Sequence, residues 1–291
     1  MVEWWELGVG PFLEFGFMRR ALAGCLALAL GAAPVGSILM LRRMSLTGDA
    51  MAHAILPGAA VGYLVAGLSL PAMTVGGIVT GLVVAVASTL VARRGRQSED
   101  SSLAAFYLMS LALGVVIVST QGNNVDLLHV LFGSVLALDD ETLLLLGGIA
   151  SISLIGMALL YRPLVFECVD ANLLPRRSRW GGIAHFGFMG LLVINLVAGF
   201  HALGTLMAIG LMILPAATAR FWVQTIDRLL VLAVLLAFGA GVCGLLLSFY
   251  FEWPTGPTIV LVLGLVYCLS LVLAPAGLIR RKARSRRHYE R

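Results

Sequence analysis

The chain has 291 residues, of which 60% are hydrophobic and only 12% are charged, with a formal net charge of +5. Soluble domains carry about twice that share of charge, so the composition excludes a soluble enzyme or a nucleic-acid-binding domain. The apolar runs, at about 20 residues each, are long enough to cross a bilayer as helices. They lack the alternation of a membrane β-barrel. The fold class predicted is therefore an all-α polytopic membrane protein.

Nine apolar segments predict eight or nine transmembrane helices. They cover, in chain order, residues 20–41, 50–67, 71–92, 102–120, 142–161, 181–200, 202–219, 229–250 and 258–277. The region 181–219 is compatible with either a full hairpin or a re-entrant pair. We divide the chain into an interfacial N-terminal segment (1–17), a transmembrane domain (18–279) and a basic cytoplasmic tail (280–291), with Trp4 and Trp5 anchoring the first of these in the headgroups.

Arginine clusters set the predicted orientation. Each cluster is separated from the next by two apolar segments, so all of them can lie on one side, which the positive-inside rule assigns to the cytoplasm. The clusters are Arg42–Arg43, Arg93–Arg96, Arg162 with Arg176–Arg179, Arg220 with Arg228, and the tail from Arg280 to Arg291. Arg19 and Arg20 are the exception, because this count places them outside.

The chain has a single lysine, Lys282, in the basic tail. A P-loop needs a lysine after a glycine-rich turn to reach the phosphates of a nucleotide, and Lys282 follows no such turn. If transport is driven by ATP, a separate ATPase chain must hydrolyse it.

One polar pair stands out at the start of the second apolar segment. Asp49 and His53 are four residues apart, which places both on one face of a helix. A carboxylate and an imidazole together can hold a divalent cation such as zinc or manganese. Small neighbours allow another helix to approach, and Pro57-Gly58 can interrupt the helix just beyond the pair, as happens where transporters bind ions.

Spacing alone leaves a second interpretation open, in which Asp49 and His53 form an ion pair near the cytoplasm, assisted by Arg42 and Arg43. Two ligands are also too few for a tight metal site. A two-fold homodimer would supply four, two aspartates and two histidines on the symmetry axis.

Two other histidines are weaker candidates for an accessory metal ligand or a gate. His129 follows the fourth segment on the outer side, and His201 lies between the sixth and seventh segments. Each also has an ordinary structural interpretation, at the membrane interface or within the helix packing.

The turn after the seventh segment is a candidate docking site for a partner subunit. Its candidate contact residues are Arg220, Phe221, Trp222, Asp227 and Arg228. An aromatic pair beside a short cytoplasmic turn suits docking, but the same pair can simply anchor a helix in the headgroups.

Five sequence blocks, in order, resemble the permeases of ABC transporters for zinc, manganese and iron. They are Arg42–Gly58, Glu99–Ser102, Asp126–Gly133, Leu211–Trp222 and Trp253–Val262. The resemblance covers roughly residues 16–276. It leaves out the aromatic N-terminal segment and the basic tail.

The resemblance implies a type II ABC importer permease that works as a homodimer. It further implies two copies of a cytoplasmic ATPase, an extracytoplasmic metal-binding protein, and Asp49 and His53 as metal ligands in the pathway. The turn that includes Arg220–Arg228 corresponds to the region that docks on the ATPase. His201 departs from the family pattern, in which an aliphatic residue is commoner.

We therefore expect the membrane subunit of an ATP-driven importer in a bacterial inner membrane, without covalent chemistry or a permanently bound cofactor of its own. The transported ion is expected to be Zn²⁺ or Mn²⁺, with zinc slightly preferred and iron possible. The alternative is a gradient-driven secondary transporter that uses Asp49 and His53 as a proton relay.

Overall fold

A computed structural model describes residues 10–67, 69–94, 98–120, 138–169 and 179–275. The regular elements in these ranges are α-helices, as predicted. After a short helix over residues 10–14, they are α1 (Gly16–Leu41), α2 (Ser45–Ala54), α3 (Leu56–Ala66), α4 (Leu70–Arg94), α5 (Glu99–Thr120), α6 (Asp140–Val169), α7 (Arg179–Ala219), α8 (Ile226–Phe251) and α9 (Thr255–Leu273).

Eight helical segments within the described ranges are long and apolar enough to cross a membrane, which confirms the predicted polytopic fold. Helices α2 and α3 together form one of them, Ser45–Ala66, and α7 contributes Gly181–Ala202. The remaining apolar segment, Gly204–Ala219, is shorter. Its 16 residues extend only about 24 Å as a helix, against about 30 Å of hydrocarbon.

Helix α7 reverses direction at Gly204, whose φ of 78° and ψ of 167° are not helical. Gly199 and Ala208 are in close contact, since a Cβ atom added to Gly199 would overlap Ala208. In a continuous helix these two residues would be about 13 Å apart, so the chain must turn back between them. The positive φ favours glycine because a side chain would clash with the backbone. The region 181–219 is thus a hairpin with a long first arm and a short second arm.

The first arm of α7 and α1 are the most buried helices of the bundle. The Asn195 side chain donates hydrogen bonds to the Ser153 hydroxyl (2.7 Å) and the Leu191 carbonyl (2.8 Å). A buried amide without partners is strongly unfavourable in a membrane. Its pairing therefore fixes the first arm of α7 against α6.

Helix α6 is longer than its apolar run and continues to Val169. Arg162, expected in a loop, lies within this helix together with Pro163. Tyr161, at the end of the apolar run, contacts Asp227, and the extension beyond it places Glu167 against Arg42. The helix ends that the arginines assign to the cytoplasm therefore meet at one end of the bundle.

At the opposite end of the bundle, carboxylates at the start of α6 lie near Arg20, one of the two arginines that depart from the orientation rule. Asp140 lies 3.4 Å from Arg20 in an exposed ion pair. Asp139 accepts a hydrogen bond from the backbone N–H of Thr142 at 2.9 Å, and hydrogen bonding from Thr142 lowers the pKa of Asp139. Carboxylates also interact favourably with the positive N-terminal end of a helix.

We expect Gly58→Ala to destabilise the protein by about 1–3 kcal/mol, the range for overpacked interiors. A Cβ atom at Gly58 would overlap the backbone carbonyl of Gly76 where α3 crosses α4. Thermal unfolding in detergent measures the effect. The matched control is Gly147→Ala on α6, where the added Cβ atom meets nothing within 4 Å. Equal melting temperatures for the two variants would contradict the close α3–α4 crossing.

Candidate metal site

A three-residue turn leads from α1 into the helix that carries the candidate ligands. Arg42 caps α1 through its N–H to the Ile38 carbonyl (2.9 Å), and Arg43 adopts a positive φ of 58°. The Met44 N–H then bonds back to Leu39 at 3.0 Å. These bonds close the turn, so the end of α1 fixes where α2 begins.

One face of α2 is packed into the helix bundle. Its buried residues are Thr47, Gly48, Ala50, Met51, Ala52 and Ala54. A Cβ atom at Gly48 would lie 3.1 Å from both Leu39 and Met212, so the small residue lets α2 lie close to α1 and to the second arm of α7. The opposite face of α2 therefore points away from the helix bundle, and we call it the outer face.

Asp49 and His53 lie on that outer face of α2. Their side chains are 59% and 36% exposed, and Nε2 of His53 is 3.8 Å from Oδ1 of Asp49. This separation is too long for a hydrogen bond, and it leaves lone pairs of both side chains available to a ligand. Leu46, at 78% exposure, continues the same face toward the start of the helix.

Arg42 does not assist the Asp49–His53 pair, contrary to the ion-pair interpretation. Its guanidinium pairs instead with Glu167 of α6, and its central carbon lies 5.1 Å from the ring centroid of Phe188. The charge of Arg42 is thus balanced away from the candidate ligands.

The helix is interrupted just beyond His53, as Pro57-Gly58 predicts. Helix α2 ends at Ala54, and α3 begins at Leu56 with Pro57 in its first turn. Proline has no N–H to donate to the carbonyl four residues earlier, which is that of His53. Ile55, between α2 and α3, keeps helical φ and ψ angles of −75° and −28°, so the interruption is a gap in the backbone hydrogen bonding just beyond the candidate ligands.

Of the two weaker histidine candidates, His129 lies outside the described residues, and His201 does not join the pair. His201 is at the outer end of the first arm of α7, where its Nδ1 hydrogen-bonds to the Val197 carbonyl at 2.9 Å. Over the described ranges, no group of three or more His, Cys, Asp or Glu side chains could share a metal ion.

The candidate docking turn is anchored to neighbouring helices. The indole N–H of Trp222 donates to the Ser270 hydroxyl of α9 at 3.0 Å, and the ring of Phe221 lies 5.6 Å from that of Tyr267. Trp222 is nevertheless 48% exposed. The other candidates, Arg220, Asp227 and Arg228, are exposed.

Sequence reasoning missed two internal polar pairs. His185 is buried, with Nε2 3.0 Å from Oε1 of Glu99 and 3.2 Å from the Thr89 hydroxyl. Glu99 is thus paired within the protein. The other missed partner is Glu167. Its only sequence signal is a carboxylate within the apolar run Leu164–Val169.

Residues 14–274 match the family described as the ABC 3 transport family. The chain belongs to the ABC 3 transport family. This confirms the resemblance, and it identifies the chain as a permease, the membrane transport subunit of an ABC transporter.

Named relatives cover nearly the whole chain. The manganese import system permease protein ScaB of Streptococcus gordonii is 29% identical over 262 residues, which is 90% of this chain and 93% of ScaB. The chelated iron transport system membrane protein YfeD of Yersinia pestis is 30% identical over 266 residues, 90% of this chain and 86% of YfeD.

The fold is also similar to a solved structure, that of PsaBC from Streptococcus pneumoniae in complex with Fab. The TM-score is 0.82 at 27% sequence identity, over 96% of this chain and 98% of the matched chain. The predicted permease fold is thereby confirmed.

Proposed function

We propose that this permease imports a divalent transition metal across a bacterial inner membrane, driven by a separate ATPase. The observation that carries the proposal is the Asp49–His53 pair, more than a third exposed at each side chain, on the outer face of α2 within a membrane-spanning segment. Ionisable side chains within membrane spans are costly to expose to lipid, and they almost always face a protein surface or a water-filled cavity. The same is expected of Asp49 and His53.

A second copy of the chain would supply a protein surface of this kind. Two copies related by a two-fold axis would bring together two aspartates and two histidines, enough for a four-ligand site. We assign the pathway to the interface of this homodimer, with Asp49 and His53 as its metal ligands.

Manganese is the ion we propose first. The named relatives are described as manganese or chelated-iron systems, and none of those descriptions supports the sequence-based preference for zinc. Carboxylate oxygens suit manganese, while imidazole suits several transition metals. A mixed layer of two carboxylates and two imidazoles therefore accepts Mn²⁺ without excluding Zn²⁺.

Two further partners complete the proposed transporter. On the cytoplasmic side, the turn Arg220–Arg228 of each permease chain would dock one copy of the ATPase, which makes two copies in the dimer. A periplasmic or extracellular metal-binding protein would deliver the ion to the outer face of the dimer. Membrane lipid surrounds the rest of the bundle.

His201 is proposed as a gate or accessory ligand on the outer side of the pathway. Its Nε2 atom is buried and has no hydrogen-bond partner among the described residues. A polar atom left in this state favours a transient partner, such as a passing ion or water. We also propose His129 as an accessory ligand, on the basis of the sequence alone.

The proposal is tested by uptake of single metals into vesicles that contain the permease, its ATPase and the binding protein. We expect ATP-dependent accumulation of Mn²⁺, with Zn²⁺ as the principal competitor, and no effect of a protonophore. Accumulation without ATP that collapses with the proton gradient would instead support the secondary transporter. Uptake of Zn²⁺ but not Mn²⁺ would overturn the metal assignment alone.

A further inference from the structure

The cytoplasmic end of α6 contacts two parts of the protein that the proposed transport cycle must connect. Tyr161 and Glu167 are six residues apart on this helix, which places their side chains about 120° apart around its axis. They therefore face different neighbours. Pro163 lies between them and removes one backbone hydrogen bond, so α6 bends most easily at this point.

Glu167 holds the turn that starts α2. It pairs with Arg42, and the two side chains are only 16% and 6% exposed. Arg42 also stacks on Phe188. Because the buried carboxylate and guanidinium are each other's counter-charge, separating them is strongly unfavourable. A shift of Glu167 must then carry the α1–α2 turn with it, and Asp49 lies only about 6 Å along α2 from its first residue.

Tyr161 holds the other element. Its hydroxyl donates a hydrogen bond to the carboxylate of Asp227, in the first turn of α8. Asp227 ends the turn that we assign to the ATPase, and the beginning of that turn is fixed to α9 through Trp222 and Ser270. A displacement of the turn by the ATPase would therefore reach α6 through Tyr161.

We propose that the end of α6 couples the ATPase-docking turn to the metal ligands, through the series Asp227–Tyr161–Glu167–Arg42 into α2. This inference rests on the proposed function, since it needs both the docking turn and the Asp49–His53 layer. We describe these side chains as positioning residues, because Tyr161, Glu167 and Arg42 all lie outside α2, which carries the proposed metal ligands.

The test compares Glu167→Gln, Tyr161→Phe and the double variant in vesicles that hold the complete transporter, with Mn²⁺ as the probe. We expect each single variant to lower the Mn²⁺ taken up per ATP hydrolysed by about tenfold, with unchanged basal ATP turnover and unchanged copurification of the ATPase. Links in series fail together, so the double variant should also lose about tenfold, not the about hundredfold of two independent effects.

Asp140→Asn is the matched control, because it removes an arginine-paired carboxylate from the opposite end of the same helix, and it should leave the ratio unchanged. An unchanged ratio in both single variants, or multiplied losses in the double variant, would overturn the proposed coupling. If Glu167→Gln does not assemble, Tyr161→Phe decides alone, since it removes a single hydroxyl.

Asp49→Asn, assayed in parallel, separates this inference from the proposed function. Loss of uptake in Asp49→Asn with normal coupling in the α6 variants would overturn only the role of α6. Normal uptake in Asp49→Asn would overturn the metal site itself.

Discussion

Asp49→Asn and His53→Gln should each reduce Mn²⁺ uptake to the background of vesicles without permease. Each substitution keeps the approximate size of the side chain and removes a metal-binding group. In the proposed homodimer, each change also removes two of the four ligands at once. Uptake of isotopically labelled Mn²⁺ measures the loss, and basal ATP turnover provides the reference.

The same variants should be nearly as stable as the wild-type protein. The two side chains are 3.8 Å apart, too far for a hydrogen bond, and neither lies on the buried face of α2 that packs against the neighbouring helices. Melting temperatures close to wild type would therefore exclude unfolding as the cause of lost uptake. If both variants transport normally, Asp49 and His53 form a structural pair and the metal crosses elsewhere.

Trp222→Ala should weaken binding of the ATPase by about 30-fold, the equivalent of about 2 kcal/mol for an aromatic anchor at an interface. Almost half of this side chain is exposed on a short turn flanked by the exposed Arg220. Copurification of the ATPase and titration of the purified subunits measure the effect. Transport should fall with it, while Mn²⁺ binding to the isolated permease remains.

Ser270→Ala separates docking from internal packing. Trp222 also bonds to Ser270, so its removal disturbs α9 as well as the exposed surface. Ser270→Ala breaks the same hydrogen bond but leaves the exposed ring in place, and it should retain the ATPase. Equal losses in both variants would show that Trp222 acts by holding the turn to α9, and the docking site would then lie elsewhere on the cytoplasmic face.

Much of the fold follows from the sequence because the bilayer makes strict demands on it. A segment that crosses hydrocarbon must be apolar, helical and about 20 residues long, so the spans can be read from composition. The Asp49–His53 spacing is equally local, since four residues along a helix always return to one face. The interruption after His53 follows from the chemistry of Pro57, and it occurs where predicted.

The tertiary structure alone decided which polar groups are partners. Glu167 and Arg42 are 125 positions apart, and Glu99 and His185 are also distant in sequence. No local pattern predicts either pair, because each depends on how separate helices pack. The same holds for α6, whose extension past residue 161 brings Glu167 to Arg42.

The sequence by itself determined a polytopic helical membrane protein with one candidate ligand pair, because hydrophobicity, helical period and proline chemistry act over a few residues. Only the tertiary structure placed that pair on the outer face of α2, paired Arg42 with Glu167 and folded 181–219 into an unequal hairpin at Gly204. These outcomes depend on close packing between helices far apart in sequence, where one glycine or one buried charge selects among arrangements that local propensities leave equal.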